Sequence, residues 1–198
     1  AKDALCKLEE EKGRSLGLSA FTLMDDLVDG TKPGAGNLIF LPYLLGERSP
    51  RWNINARGAF IGLSSTHRKP DMLRAVMEGV TFNLKIILDI LEKDGKFDKI
   101  RLIGGGAKGR NWKQIVADIF GKTVTIPEYL EEATSMGAAS IGAVGTGEMT
   151  LKEASTFVKD VQFISPRMEV HEKYLRLFEV FDKAYMSLLE VYEDLAEM

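Results

Sequence analysis

The sequence has a single cysteine, Cys6, and little excess of charge of either sign. One cysteine excludes an internal disulfide and any zinc site built from several thiolates. A formal net charge of -3 provides no basic field for nucleic acid, and no uninterrupted apolar run is long enough to span a bilayer. We therefore expect no nucleic-acid partner and no membrane partner, and we expect a cytoplasmic location.

What is present is the composition of a globular protein. The 198 residues are 45% hydrophobic, which is enough for one domain with a sizeable core. The two histidines, His67 and His171, have no second ligand at metal spacing, so we expect no metal site in this chain. The sequence begins at Ala1 without an initiator Met, and we expect it to be a piece of something longer.

A glycine run, Ile103-Gly-Gly-Gly-Ala107, follows a strand-like stretch and precedes a helix-like one. Glycines at such a junction let the backbone approach a ligand that a Cβ would exclude. The free N–H groups of the following helix N-terminus favour an anion, and a nucleotide phosphate is the natural guest. A tight turn without any ligand is the alternative that the glycines alone leave open.

The apolar pattern predicts strands that alternate with helices. The predicted strands cover 37–45, 58–63, 99–103 and 122–127. The predicted helices are a long one from Pro70, one after the glycine run that ends at Gly121, one over 134–144, and a short one that begins at Thr150. Strands separated by helices of this length predict an α/β fold with a mixed sheet flanked by helices.

Two features leave alternatives open. The helix over 134–144 is so rich in small residues that its backbone must lie close to a neighbouring element or a ligand, and we favour packing. The last helix carries an apolar seam at steps of four and three, which is either core or a docking face for an absent domain or a second subunit. The residues of this seam are Tyr174, Phe178, Phe181, Tyr185, Leu188, Tyr192 and Leu195.

Taken in order, these segments resemble the FGGY family of carbohydrate kinases, members of the actin-like (ribonuclease H-like) ATPase superfamily. The segment 58–78 is similar to the family's second signature, with its two glycines, Asp71 and the closing Ala-Val-Met-Glu. Gly104-Gly-Gly-Ala107 stands where the family has its adenine-nucleotide loop, and the segment 134–139 is similar to the small-residue helix that follows. Several motifs in the right order are much stronger than one glycine loop.

Within the family, the segments 40–50 and 103–107 look most like xylulokinases, whereas 51–58 and 79–83 lean toward gluconokinases. The resemblance implies an ATP-dependent kinase that, when complete, phosphorylates D-xylulose to D-xylulose 5-phosphate. A gluconokinase or another polyol or pentulose kinase is the alternative. A non-catalytic actin-like module that binds nucleotide is the alternative from another class.

Family members have two actin-like domains, with ATP and sugar in the cleft between them. The N-terminal domain carries the catalytic aspartate and most sugar contacts, and nothing here matches it. The resemblance therefore implies that 1–198 is the C-terminal domain, inactive alone and without a catalytic residue. It comprises a helical lead-in and loop (1–36), a nucleotide-side core (37–147) and C-terminal helices (148–198). The expected partners are ATP with its Mg²⁺, the sugar, the N-terminal domain and, in a homodimer, a second copy.

The resemblance also implies the residues that bind the nucleotide. The glycine backbone passes close to the α-phosphate and ribose, and the start of the next helix faces the adenosine. The residues so implied are Gly104, Gly105, Gly106, Ala107, Lys108 and Asn111.

The polar segment between the first two strands carries Glu47, Arg48 and Arg57. These side chains either border the sugar or form a structural ion pair that pins the loop, and we favour the ion pair. Trp52 and Trp112 are candidates for stacking on a base or a sugar ring. For Trp112 we favour packing of its helix on the sheet, since it shares a face with Ile115.

Overall fold

The structure, a computed structural model, describes residues 6–198. The helices are α1 (Lys7–Leu16), α2 (Ala20–Val28), α3 (Lys69–Leu91), α4 (Arg110–Phe120), α5 (Ala133–Gly145), α6 (Leu151–Phe157), α7 (Met168–Ser187) and α8 (Leu189–Ala196). The strands are β1 (Ile39–Leu41), β2 (Ala59–Ile61), β3 (Lys99–Arg101), β4 (Thr123–Pro127) and β5 (Asp160–Ile164). Two short 3-10 helices cover Ala35–Asn37 and Gly105–Lys108.

The strands form two small sheets. Strands β1 and β2 pair antiparallel, with Phe40 opposite Phe60. In the other sheet, β4 lies between β3 and β5 and pairs parallel to β3 and antiparallel to β5. Because α4 connects the two parallel strands, β3, α4 and β4 form a βαβ unit. A mixed sheet with flanking helices confirms the α/β prediction.

The strand expected over 37–45 is shorter in the structure and ends at Leu41. Pro42 follows, and a proline has no N–H to donate to a partner strand. Strand β5 was not predicted, and it places a strand within the segment 148–198, for which only helices were expected. Its side chains Val161 and Phe163 are exposed, so β5 lacks the buried alternation from which strands are recognised.

The apolar seam of the last helices is core. Tyr174, Phe181, Tyr185 and Tyr192 are buried, and the ring of Phe82 on α3 lies 5.4 Å from that of Phe181, centroid to centroid. The seam is split between α7 and α8, and only its last member, Leu195, is strongly exposed. Of the two interpretations left open by the sequence, the structure supports packing within this domain.

A buried polar cluster joins α3 to α7. The Oε1 atom of Glu78 accepts hydrogen bonds from Arg74 Nε at 2.6 Å, from the Tyr174 hydroxyl at 2.6 Å and from the Gly34 N–H at 2.9 Å. Burial raises the pKa of Glu78, against the opposing effects of Arg74 and the hydrogen bonds. The three hydrogen bonds to Oε1 and the adjacent guanidinium of Arg74 offset part of the cost of placing this carboxylate in the core.

Helix α5 does not show the close packing that its small residues predicted. A Cβ added to Gly137, Gly142 or Gly145 would meet no atom within 4 Å, and Ile141 is exposed. In the described part of the chain α5 packs against α6. Most of its surface therefore remains open.

Candidate functional site

The glycine run forms a turn between β3 and α4. Gly104 has a φ of 78°, which only glycine adopts without strain in this region, and residues Gly105–Lys108 form a 3-10 turn closed by Ala107 N–H donating to Gly104 O at 3.1 Å. The N–H groups of Gly105 and Gly106 have no acceptor among residues 6–198. The turn thus presents two free backbone donors, as the start of a helical turn does.

The two sides of this turn differ. A Cβ on Gly106 would overlap the six-membered ring of Trp112, whereas a Cβ on Gly104 or Gly105 would meet nothing within 4 Å. The Trp112 indole is fixed in turn, because its Nε1–H donates to Thr81 Oγ1 at 2.9 Å. The turn is therefore closed behind Gly106 and open in front of Gly104 and Gly105. Packing is the role that the structure shows for Trp112.

Ala107 is buried and does not face solvent. It belongs to a cluster beneath the turn that also contains Val116, Ala117, Val124 and Ile126. Its small side chain anchors the turn on the βαβ unit. Of the six residues expected to bind nucleotide, Ala107 therefore offers a ligand neither its buried side chain nor its N–H, which donates to Gly104 O.

The N-terminus of α4 already holds an anion. Asp25 Oδ2 accepts from the Arg110 N–H at 2.9 Å, and Asp25 Oδ1 accepts from the Asn111 N–H at 3.1 Å. The Asn111 side chain donates through Nδ2 to the Asp25 main-chain oxygen at 2.8 Å. The helix-terminal anion site that the sequence indicated is therefore filled by an internal carboxylate, which sequence analysis did not identify. Asn111 is engaged with α2.

The basic side chains of the turn are paired on the surface. Lys108 pairs with Glu131, and Arg110 Nη2 lies 2.8 Å from Asp29 Oδ2. Both pairs are more than half exposed, so solvent screening leaves them little energy. The hydrogen bond from Lys108 holds the pKa of Glu131 below its usual value. A nucleotide phosphate would therefore have to compete with Glu131 for the Lys108 ammonium.

The loop between β1 and β2 is held by Glu47, but not through the expected ion pair. Its buried carboxylate accepts from the N–H groups of Ser49 at 2.9 Å, Arg51 at 2.8 Å and Trp52 at 2.7 Å. Glu47 therefore has the structural role that we favoured, but its partners are backbone amides and not arginine side chains. Arg48, one of the two expected partners, is exposed. Arg57, the other expected partner, donates instead to the Ile54 and Ala56 carbonyls.

We call the Glu47 carboxylate and its three bound N–H groups, at Ser49, Arg51 and Trp52, the Glu47 clamp. Trp52 has a φ of 55°, and its side chain is 78% exposed, so the Glu47 clamp presents an aromatic ring to solvent. A non-glycine residue in the left-handed region is strained, and the three hydrogen bonds of Glu47 hold it there. Two grooves, of about 580 Å³ beside Trp52 and about 440 Å³ beside Thr31, lie elsewhere, and neither includes the glycine turn. The glycine turn itself is open where a Cβ on Gly104 or Gly105 would meet nothing within 4 Å.

Both histidines have structural partners. His67 Nδ1 lies 2.9 Å from the Ser64 N, which donates to it, and His171 Nδ1 lies 2.8 Å from the Asp118 main-chain oxygen. Among residues 6–198 no group of three His, Cys, Asp or Glu side chains is placed to hold a metal ion. Over the same residues no helix combines the length and the apolar character that crossing a membrane requires.

The βαβ unit, the glycine turn and the order of elements define a domain of a known class. The model of the FGGY family of carbohydrate kinases, C-terminal domain, matches residues 6–146, and the chain belongs to this family. The match includes α1 and α2, which lie in the expected helical lead-in (1–36) and carry none of the motifs on which the resemblance rests.

The relatives include proteins named after both enzymes that the motifs suggested. The chain is 32% identical to the gluconokinase of Bacillus licheniformis over 98% of its length, and 38% identical to the xylulose kinase of Staphylococcus epidermidis over 86%. It spans only 38% and 35% of those two proteins. The chain thus corresponds to somewhat more than a third of such a kinase.

Solved structures agree with this assignment. The ligand-bound xylulose kinase of Lactobacillus acidophilus superposes with a TM-score of 0.80 at 30% identity, over 95% of this chain and 39% of that one. The gluconate kinase of the same organism superposes with a TM-score of 0.78 at 33% identity, over 87% and 35%. The fold is that of the actin-like ATPases, as expected.

Proposed function

We propose that this chain is the nucleotide-binding C-terminal domain of an ATP-dependent sugar kinase. The observation that carries the proposal is the glycine turn: the N–H groups of Gly105 and Gly106 have no acceptor among the described residues, the turn is open at Gly104 and Gly105, and Trp112 closes it at Gly106. Backbone donors without a covering side chain are suited to a phosphate or ribose oxygen. The nucleotide-binding residues remain Gly104 to Lys108 together with Asn111.

Phosphoryl transfer depends mainly on positioning the γ-phosphate and neutralising its charge. Mg²⁺ would arrive with ATP and supply part of that neutralisation, since this chain offers no metal-binding cluster within residues 6–198. Backbone donors at the turn would orient the nucleotide, and Lys108 would add positive charge once released from Glu131. We propose no catalytic residue in this chain, and therefore no turnover from it alone.

The partner in catalysis is proposed to be the N-terminal domain of the same kinase. Two open surfaces support a partner: α5, with Ile141 74% exposed, and the loop after β1, where Leu45 is 90% exposed. Exposed apolar groups of this kind are typical of surfaces that another domain covers. A homodimer and a cytoplasmic location stay predictions from the sequence.

D-xylulose is the substrate that we propose for the complete kinase. The xylulose kinase of S. epidermidis has the higher identity of the two relatives, and a xylulose kinase has the higher TM-score of the two structures. The match to the gluconokinase of B. licheniformis covers nearly the whole chain, which makes gluconate the second candidate.

The test is a kinase assay on the complete protein that contains this chain. ADP release would be followed with D-xylulose, D-gluconate and glycerol at equal concentrations, with and without Mg²⁺. We expect the largest kcat/KM for D-xylulose and no turnover from residues 1–198 alone. A larger kcat/KM for gluconate would reassign the substrate. ATP binding without transfer to any sugar would instead favour the non-catalytic nucleotide-binding module.

A further inference from the structure

Helix α2 reaches the nucleotide-side turn through one residue. Asp25 is 8% exposed, and its two carboxylate oxygens accept from the Arg110 and Asn111 N–H groups at 2.9 and 3.1 Å. A third bond runs from Asn111 Nδ2 to the Asp25 main-chain oxygen. Three hydrogen bonds between residues so distant in sequence fix the start of α4 against α2.

Gly109 makes this arrangement sterically feasible. It occupies the N-cap position of α4 and has no side chain to cap the helix, and a Cβ there would lie 3.1 Å from Asp25 Oδ1. A helix normally takes its cap from the residue at this position. Here Asp25 supplies the carboxylate from another helix, where it also meets the positive end of the α4 dipole.

The cap is continuous with the glycine turn. The Gly109 N–H donates to Gly106 O at 3.2 Å, and Trp112, one turn into α4, lies against Gly106. A displacement of the start of α4 would therefore move Gly106 and the direction of its N–H. The carboxylate also occupies the Arg110 and Asn111 N–H groups, so that the Gly105 and Gly106 donors are the ones left for a ligand.

We propose that Asp25 is a positioning residue for the nucleotide site: it acts through the cap on α4, holds the glycine turn in its open geometry and keeps phosphate off the helix N-terminus. This inference rests on the function proposed above. Asp25 itself need not touch the nucleotide.

The test compares three variants of this chain. Asp25→Ala removes both acceptors. Asp25→Asn keeps one acceptor and replaces the other with an NH₂ group that faces a backbone N–H. Asp26→Asn is the matched control, since its carboxylate lies on the same helix, 62% exposed and 3.9 Å from Arg110 Nη2, without a backbone contact. Each protein would be titrated with Mg·ATP, and amide hydrogen exchange at 105–111 would be measured without nucleotide.

We expect Asp25→Ala to weaken Mg·ATP binding about tenfold, the size of a lost helix cap. Exchange at 105–111 should accelerate by a similar factor, while amides in β4 keep their rates. Asp25→Asn should recover only part of both losses, since it keeps one acceptor but turns a donor toward the other N–H group; Asp26→Asn should match the wild type. If Asp25→Ala does not fold, amide exchange in Asp25→Asn still tests the inference. In that variant we expect a partial acceleration of exchange that is confined to 105–111.

Two outcomes would overturn the inference: wild-type affinity and exchange in Asp25→Ala, or accelerated exchange spread evenly over the domain. Failure of the wild-type chain to bind Mg·ATP would count against the proposed function instead. In that case the inference that Asp25 positions a nucleotide site falls with it, whereas local loosening at 105–111 would show that the cap alone is real.

Discussion

The indole ring of Trp112 occupies the space that a side chain on Gly106 would need. The neighbouring Gly105 has no such restriction, since a Cβ there would point into open space. Two adjacent glycines are therefore required for different reasons. At 106 glycine is required by packing, and at 105 it leaves the face open on which we place the nucleotide.

This difference predicts that alanine at 106 lowers stability, whereas alanine at 105 weakens nucleotide binding. Gly106→Ala must displace Trp112 and should lower the free energy of unfolding by about 1–3 kcal/mol, the usual cost of overpacking. Gly105→Ala should change it by less than about 0.5 kcal/mol, as at other open positions, yet weaken Mg·ATP binding. Urea unfolding and an ATP titration of both variants provide the measurement. Equal stabilities would contradict the packing role of Trp112.

The buried cluster around Glu78 predicts a contrast between two tyrosines. The Tyr174 hydroxyl donates to Glu78 Oε1 at 2.6 Å and accepts from Arg74 Nη2 at 2.9 Å. The Tyr192 hydroxyl is buried without a hydrogen-bond partner among the described residues. Tyr174→Phe should therefore cost about 1–3 kcal/mol, whereas Tyr192→Phe should be neutral or stabilising. Comparable losses in chemical denaturation would show that the cluster adds no stability of its own.

The sequence was sufficient for the elements whose apolar pattern is local. In the unit of β3, α4 and β4, the helix follows from the spacing of Trp112, Ile115 and Ile119. It ends at Gly121, which has a φ of 65°, as predicted. β5 was missed because its exposed side chains leave no buried face to recognise.

The candidate site was only partly predictable. The glycine turn is contiguous in sequence, so it was found from the sequence alone. The Asp25 cap joins residues 85 positions apart, and nothing in the neighbourhood of Asp25 marks it as a helix cap. The partners of Glu47 are backbone amides, whose directions depend on the left-handed Trp52 and are not encoded by residue type.

The Glu47 clamp predicts a large effect at a position without a catalytic role. Glu47→Gln retains the shape but turns one acceptor into a donor that faces N–H groups, at a cost of about 2–4 kcal/mol. The control is Arg48→Gln, an exposed neighbour that should change stability by less than about 0.5 kcal/mol. Thermal and urea unfolding would show whether the loop depends on Glu47. Equal small effects in both variants would contradict the clamp.

The pair of Glu92 and Lys122 predicts an acid-sensitive contribution to stability. The hydrogen bond from Lys122 Nζ, at 2.7 Å, together with the Phe97 N–H, lowers the pKa of Glu92 from its ordinary 4.5 to about 2. Because the folded state favours the ionised form, this contribution is complete above pH 4.5 and is lost as the pH falls toward 2.

Lys122→Met should therefore raise the pKa of Glu92 toward 4.5 and shift the onset of acid unfolding to higher pH. Lys96→Met is the control, since Lys96 is 79% exposed and lies 3.6 Å from Glu92. A carboxyl-detected NMR titration measures the pKa of Glu92 in both variants. An unchanged pKa in Lys122→Met would assign the shift to another group.

Binding of Mg·ATP at the glycine turn tests the central claim most directly. The ¹⁵N-labelled chain would be titrated with Mg·ATP while its backbone amides are followed, with Gly105→Ala titrated in parallel. We predict saturable shifts centred on Gly104 to Ala107, even at millimolar affinity, and much smaller shifts in Gly105→Ala. Shifts centred elsewhere, or equal shifts in both proteins, would contradict a nucleotide site at this turn.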